Sequence, residues 1–223
     1  MDNSLLIHKA NIIVHIIAGS IALLLGLVAI MTKKGGKNHR RSGTIFMMLL
    51  IVVIFTGFIG VFVFGRNTFL LVITVLSGYF GFSGYRILQT KSNRPQLVDV
   101  CIGIGSVIAV AYFLYYFKSI GMIWSPLIIY STVGTLLLVI SYDFIRYFIP
   151  VSRYGNLWFY EHIFKMIGAF TALLSAFSGT VFSNYQPYSQ FLPSVFGTGL
   201  QIGFIVYYYR KNRRQARLLP VHQ

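Results

Sequence analysis

Seven apolar stretches, each long enough to cross a bilayer, occupy almost all of this 223-residue chain. A hydrocarbon core demands about 20 consecutive apolar residues per span. The stretches lie near residues 11–31, 43–65, 68–89, 97–117, 126–147, 157–183 and 191–209. Only 10% of the residues are charged, against about a quarter in a soluble domain, so these stretches are not the core of a water-soluble fold. Their apolar runs are continuous, whereas an outer-membrane barrel alternates apolar and polar positions. Backbone groups in hydrocarbon must find partners within each span, which leaves helices. The expected fold is all-α: a polytopic bundle of seven transmembrane helices in one domain over residues 1–209, followed by a basic tail over 210–223.

The net charge of +15 is consistent with a nucleic-acid partner only until its distribution is read. Lys33, Lys34, Lys37, Arg40 and Arg41 follow the first span. Arg86, Lys91 and Arg94 follow the third. Arg146, Arg153 and Lys165 surround the gap between the fifth and sixth. Arg210, Lys211, Arg213, Arg214 and Arg217 end the chain. These are 16 of the 19 basic residues, and only Lys9, Arg66 and Lys118 fall to the other face. Basic residues in short loops stay on the cytoplasmic side, so the expected topology is N-terminus outside and C-terminus cytoplasmic. The same residues, Lys33, Lys34, Lys37, Arg40, Arg41, Arg210, Lys211, Arg213 and Arg214 foremost, are expected against anionic lipid head groups, with no nucleic acid. The positive charges come after the first apolar run, so the N-terminus does not read as a cleavable signal, which carries them before it.

Small residues mark the packing faces. The sixth span carries Gly168, Ala172, Ala176 and Gly179, the third Ser77, Gly81 and Gly84, and the seventh the pair Gly199 and Gly203. Such residues let helix backbones approach where lipid supplies no hydrophobic drive. Ser125–Pro126 and Asn156 read as helix starts, with proline at a first position where its missing N–H costs nothing. Trp124, Trp158, Tyr160 and Tyr207–Tyr208–Tyr209 read as interfacial rings. Cys101, the sole cysteine, reads as a small buried residue without a disulfide. Phosphate loop, dinucleotide fingerprint, nucleophile elbow and HExxH are all missing from the sequence.

Ionisable groups within spans are costly, so each is a candidate. His15 sits about five residues into the first predicted span, either as a ligand or proton site or as an imidazole satisfied by a neighbouring Ser, Thr or Tyr. Asp99, Asp143, Glu161 and His162, with His39 in the first basic loop, share the opposite face. Carboxylates and imidazoles from separate elements at one depth could hold a divalent metal. The competing expectation is ion pairing along each helix. Asp143 stands three residues before Arg146 and Glu161 four before Lys165. A b-type haem needs two histidines at one depth. His15 and His162 differ by about 20 Å at the helical rise. His39 and His162 could serve if the first loop folds back under the bundle.

The segment from His15 to Gly43, with Gly19, Ala22, Gly26, His39 and Arg40, resembles the opening of the predicted bacterial membrane proteins gathered as domain of unknown function twenty-three-zero-six. The segment from His162 to Phe177, with Met166 and Ala176, looks like that family's second histidine helix. The chain departs from the pattern after Gly43, where Thr44 and Ile45 precede the aromatic Phe46, and it has more helices than the family's usual core. The resemblance implies a bacterial inner membrane and carries no settled chemistry.

The function expected from these readings is a non-enzymatic binding component, or a subunit of an assembly with other membrane proteins. A metal- or haem-dependent enzyme or redox protein on the cytoplasmic face is the alternative, and a small-solute transporter the third. The topology has a direct check. A reporter active only in the cytoplasm should work when fused after Gln223, and one active only outside should work at the N-terminus; the reverse result would overturn the orientation.

Overall fold

The computed structural model describes residues 3–65, 69–119, 121 and 125–218. Within them the chain forms helices α1 (Asn3–Met31), α2 (Lys37–Phe62), α3 (Phe69–Thr90), α4 (Leu97–Ser119), α5 (Pro126–Ile145), the single turn α6 (Val151–Tyr154), α7 (Leu157–Val181) and α8 (Tyr188–Leu218). Seven of these are long and apolar enough to cross a membrane, and no strand occurs among the described residues. The protein is an all-α, multi-pass membrane bundle. Arg66 and Trp124 lie outside the described residues.

Helix ends depart from the apolar stretches where polar residues continue a helix past the hydrocarbon boundary. α1 starts at Asn3, eight residues before the apolar run, and α8 carries on through the basic residues that read as a tail. α2 starts at Lys37, not at 43, because the turn before it is very short. Gly35 supplies a φ of +76°, which a side chain would oppose, and Gly36 is the cap residue. His39 therefore stands in the first turn of a helix. α5 begins with Pro126 after Ser125, and α7 with Asn156 as its cap residue, although neither cap side chain makes a hydrogen bond to the helix. Asp99 performs that role at α4 from inside: its Oδ2 accepts the backbone N–H of Gln96 at 3.0 Å.

α3 and α7 are the most deeply packed spans, and α7 is the hub that touches α1, α3 and α8, while α1 and α2 form a hairpin. The small residues explain the approach of α3 to α7. A Cβ on Gly168 would stand 2.9 Å from the Phe80 ring, and one on Gly84 would stand 3.0 Å from Cβ of Lys165. Ser77 Oγ donates to the carbonyl of Ala169 at 3.2 Å across the same seam. Gly81 admits Leu50 of α2, and Gly197 of α8 admits Thr171. Gly199 and Gly203 behave otherwise, since a Cβ on either would meet nothing within 4 Å. Among the described residues nothing packs against the α-carbon face of that pair.

Cys101 is exposed, not buried. α4 buries Gly103, Ser106, Val110, Phe113 and Phe117, a stripe at helical spacing, and Cys101 lies off it. The interfacial rings gather at one end: Phe159 and Tyr160 at the start of α7 meet Tyr208 and Tyr209 late in α8, with centroids 5.3 and 6.5 Å apart.

Gly168→Leu should force α3 and α7 apart. Overpacking of this kind costs about 1–3 kcal/mol, read as a lower unfolding midpoint in detergent. The same change at Gly203 should be nearly silent. Equal effects at both positions would contradict the seam.

Candidate functional site

The five residues of the sequence-predicted metal cluster do not meet at one point. They separate into a buried ion network, an isolated ion pair and a cavity with two histidines. Among the described residues, no group of three or more His, Cys, Asp or Glu side chains is placed to hold a metal ion.

The network joins α3, α5, α6 and α7. Lys165 Nζ reaches Asp143 Oδ1 at 2.5 Å, and Arg146 Nε lies 3.3 Å from the same oxygen. Arg146 Nη1 donates to Glu161 Oε2 at 2.7 Å. Three phenols complete the acceptors. Tyr79 donates to Asp143 Oδ2 at 2.8 Å, Tyr142 to Glu161 Oε1 at 2.7 Å and Tyr154 to Glu161 Oε2 at 3.2 Å. Burial first, and then the negative charge of Glu161, push the Tyr154 phenol above its ordinary range.

Asp143 pairs with Arg146, which begins the 3₁₀ turn after α5, as the spacing suggests, but the second pair is exchanged. Lys165 crosses to Asp143 and Glu161 crosses to Arg146. The spacing of Glu161 and Lys165 on α7 also puts both on the face that α3 and α5 cover, and there the acids and bases of α5 compete for them. Lys165 is eight residues, about 12 Å, into α7 and only 1% exposed, so it is no head-group charge. Arg146 is buried as well. Asp99 keeps apart, bonded to Arg86 Nε at 2.7 Å and Nη2 at 3.2 Å. Between this pair and the network is a space of about 10 Å³, enough for a single water. The network has no room for a substrate.

The cavity lies among α1, α2, α3 and α7 and measures about 340 Å³, within the range of small-molecule sites. Its walls are mainly apolar: Phe46, Met47, Trp158, Met166 and Phe170 contribute, with Gly26 and Gly43. His39, His162, Lys34 and Arg40 supply nitrogen groups to the lining, and Thr44 and Tyr85 supply hydroxyls.

The turn before α2 builds this polar side. His39 Nδ1 donates to the carbonyl of Ala29 at 2.9 Å, and Lys34 Nζ donates to the carbonyls of Ala29 and Ile30 at 3.1 and 2.8 Å. These carbonyls stand in the last turn of α1, where the helix leaves them unpaired. Burial pushes the Lys34 ammonium down to about 8. Opposite, His162 Nδ1 donates to the carbonyl of Gly84 at 2.9 Å. The bare α-carbon of Gly84 is what lets α7 come near enough.

A carbonyl only accepts, so in each ring Nδ1 carries the hydrogen and Nε2 of the neutral ring keeps its lone pair. Neither Nε2 has a hydrogen-bond partner among the described residues. His39, His162 and Lys34 line the one cavity from three different segments of the chain.

His15 belongs to neither group. Its Nδ1 is 2.8 Å from Thr56 Oγ1, six residues from the end of α2 and far from His39 at the start of that helix. The Thr56 hydroxyl donates to Val52 and so accepts from His15. Of the expected head-group contacts, Lys33, Lys37, Arg40, Arg41, Arg210, Lys211, Arg213 and Arg214 are exposed and Lys34 is half-buried. Lys34, Tyr79, Tyr142 and Tyr154 escaped the sequence reading of the site. Only Lys34 left a trace there, as part of the basic loop beside His39.

No family model, curated protein or solved structure matches this chain.

The network holds two acids and two bases and is neutral as a unit. Breaking a buried pair from one side costs about 3–5 kcal/mol because a charge is left without compensation. Lys165→Met should therefore lower the unfolding midpoint in detergent more than the double variant Asp143→Asn/Lys165→Met, which restores neutrality. A double variant less stable than the single would contradict this reading.

Proposed function

We propose that this chain is a binding protein of the bacterial inner membrane, or the ligand-carrying subunit of a membrane assembly. Its N-terminus lies outside and its cavity opens toward the cytoplasmic face. The observation that supports the reading is the cavity itself: an apolar chamber of about 340 Å³ with two imidazole lone pairs and two cationic side chains among its lining. The ligand this chemistry fits has a flat apolar body, a centre that accepts electron pairs and an anionic group. Charge-assisted contacts from Lys34 and Arg40 would hold the anion. The same basic face favours anionic head groups and, by the positive-inside rule, the cytoplasmic side.

An enzyme built on the acids is the weaker reading. Asp99, Asp143 and Glu161 all accept from basic or phenolic partners, and a general acid or base must reach a substrate proton. A carrier driven by mid-membrane charge is weaker still, because Lys165 already has its partner in Asp143.

Gly43→Phe tests the reading. A Cβ at Gly43 meets nothing within 4 Å, so the ring would enter the cavity without displacing a packed neighbour. Native mass spectrometry of the full chain released from nanodiscs should give one bound small molecule in the wild type. The variant should lose it and unfold at the temperature of the wild type stripped of its ligand. A wild type without any adduct, or an adduct indifferent to Gly43→Phe, would contradict the proposal.

A further inference from the structure

Resting on that reading of the cavity, the geometry points to its ligand: one non-covalent b-type haem, its iron held between Nε2 of His39 and Nε2 of His162. Three observations carry this.

The first is the state of the two rings. They come from different helices, α2 and α7, and line one cavity. Each has its Nδ1–H fixed on a backbone carbonyl, Ala29 for one and Gly84 for the other. A metal-binding histidine characteristically donates its other ring N–H in this way, which fixes the tautomer and makes the ligating nitrogen more basic. His15 also has its Nδ1 bonded, but the other imidazole on that side, His8, is two turns away on the same helix and packs against Phe64, so the two cannot face each other across a ligand.

The second is the number of donors. Two imidazoles do not satisfy a bare divalent ion, since a zinc site takes at least three protein ligands. The described residues offer no third His, Cys, Asp or Glu there. A porphyrin brings four nitrogens of its own, and two imidazoles then complete six-coordination.

The third is the wall. Phe46, Phe170, Trp158, Met47 and Met166 give an apolar wall against which the face of a macrocycle can lie, its edge reaching out of the cavity, and a Cβ at Gly43 meets nothing within 4 Å. Lys34 and Arg40 put positive charge on the same lining, where two carboxylates can be met. The group would be held without thioether bonds, because the one cysteine, Cys101, is on α4 and exposed. An iron with both axial positions filled by protein leaves no place for a substrate, in keeping with a binding role.

The test titrates haemin into the full chain purified in detergent and follows the absorption and electron paramagnetic resonance spectra. One equivalent should bind and give a six-coordinate low-spin signature. His39→Ala and His162→Ala should each abolish that signature, with the unfolding midpoint as a control for folding. His39→Met should retain haem with a shifted spectrum, and His15→Ala should leave the spectrum unchanged. A low-spin bis-imidazole spectrum surviving in either alanine variant would falsify the assignment. So would a wild type that rejects haemin yet carries another small molecule lost in Gly43→Phe. That last result would remove the haem and keep the cavity as a binding site, whereas failure of Gly43→Phe to affect any ligand would remove both.

Discussion

Lys165, Asp143, Arg146 and Glu161 are joined in that order by three ion pairs inside a bundle that is otherwise largely apolar. Charges taken out of water are costly unless each is paired and hydrogen-bonded, and here the hydroxyls of Tyr79, Tyr142 and Tyr154 bond the carboxylate oxygens as well. The requirement is geometric. α5 must meet α7 in the one register that serves both acids, α3 must place Tyr79 beside Asp143, and α6 must bring Tyr154 under Glu161. A sliding of α7 by one turn would break every bond that Glu161 and Lys165 make in the set. The network thus fixes the axial position of α7, and His162 is three residues from Lys165 on that same helix.

From there the cavity follows. With α7 set, Gly84 and Gly168 let α3 approach it, and the Gly84 carbonyl takes the His162 Nδ1–H. On the other side the short turn at Gly35 and Gly36 brings α2 back against α1, and the last carbonyls of α1 take His39 and Lys34. Two seams of different origin, one glycine-packed and one turn-built, leave the space between them unfilled. The space beside the network holds about one water, at about 10 Å³, while the cavity measures about 340 Å³. The ion network and the cavity are built from neighbouring but separate groups of residues.

The spans were legible because a bilayer sets a minimum apolar length, and α3, α4, α5 and α7 begin within a residue of their expected starts. The starts of α1 and α2 were not, because Asn3, Lys37 and Asn38 continue helices without being apolar. That mattered for His39, which reads as a loop residue and stands in a helix. The candidate acids were legible as a set, since a membrane span rarely holds one without cause. Their partners were not. Spacing along α7 offers Lys165 to Glu161, but the choice belongs to the contact between helices, which one helix's spacing does not encode. The Gly168 face was readable as a packing seam. Gly199 and Gly203 have the same pattern and meet nothing among the described residues, so a small-residue motif alone does not say which surface it will meet.

The central claim is that His39 and His162 face a common ligand across one cavity, and a cryo-electron microscopy map of the full chain in a nanodisc tests it most directly. The account predicts a flat density between the two rings, contiguous with both Nε2 positions, with each Nδ1 on its carbonyl at Ala29 and Gly84 and the negative end of the ligand toward Lys34 and Arg40. A cavity filled by a lipid acyl chain, with the two rings turned away from each other, would contradict it.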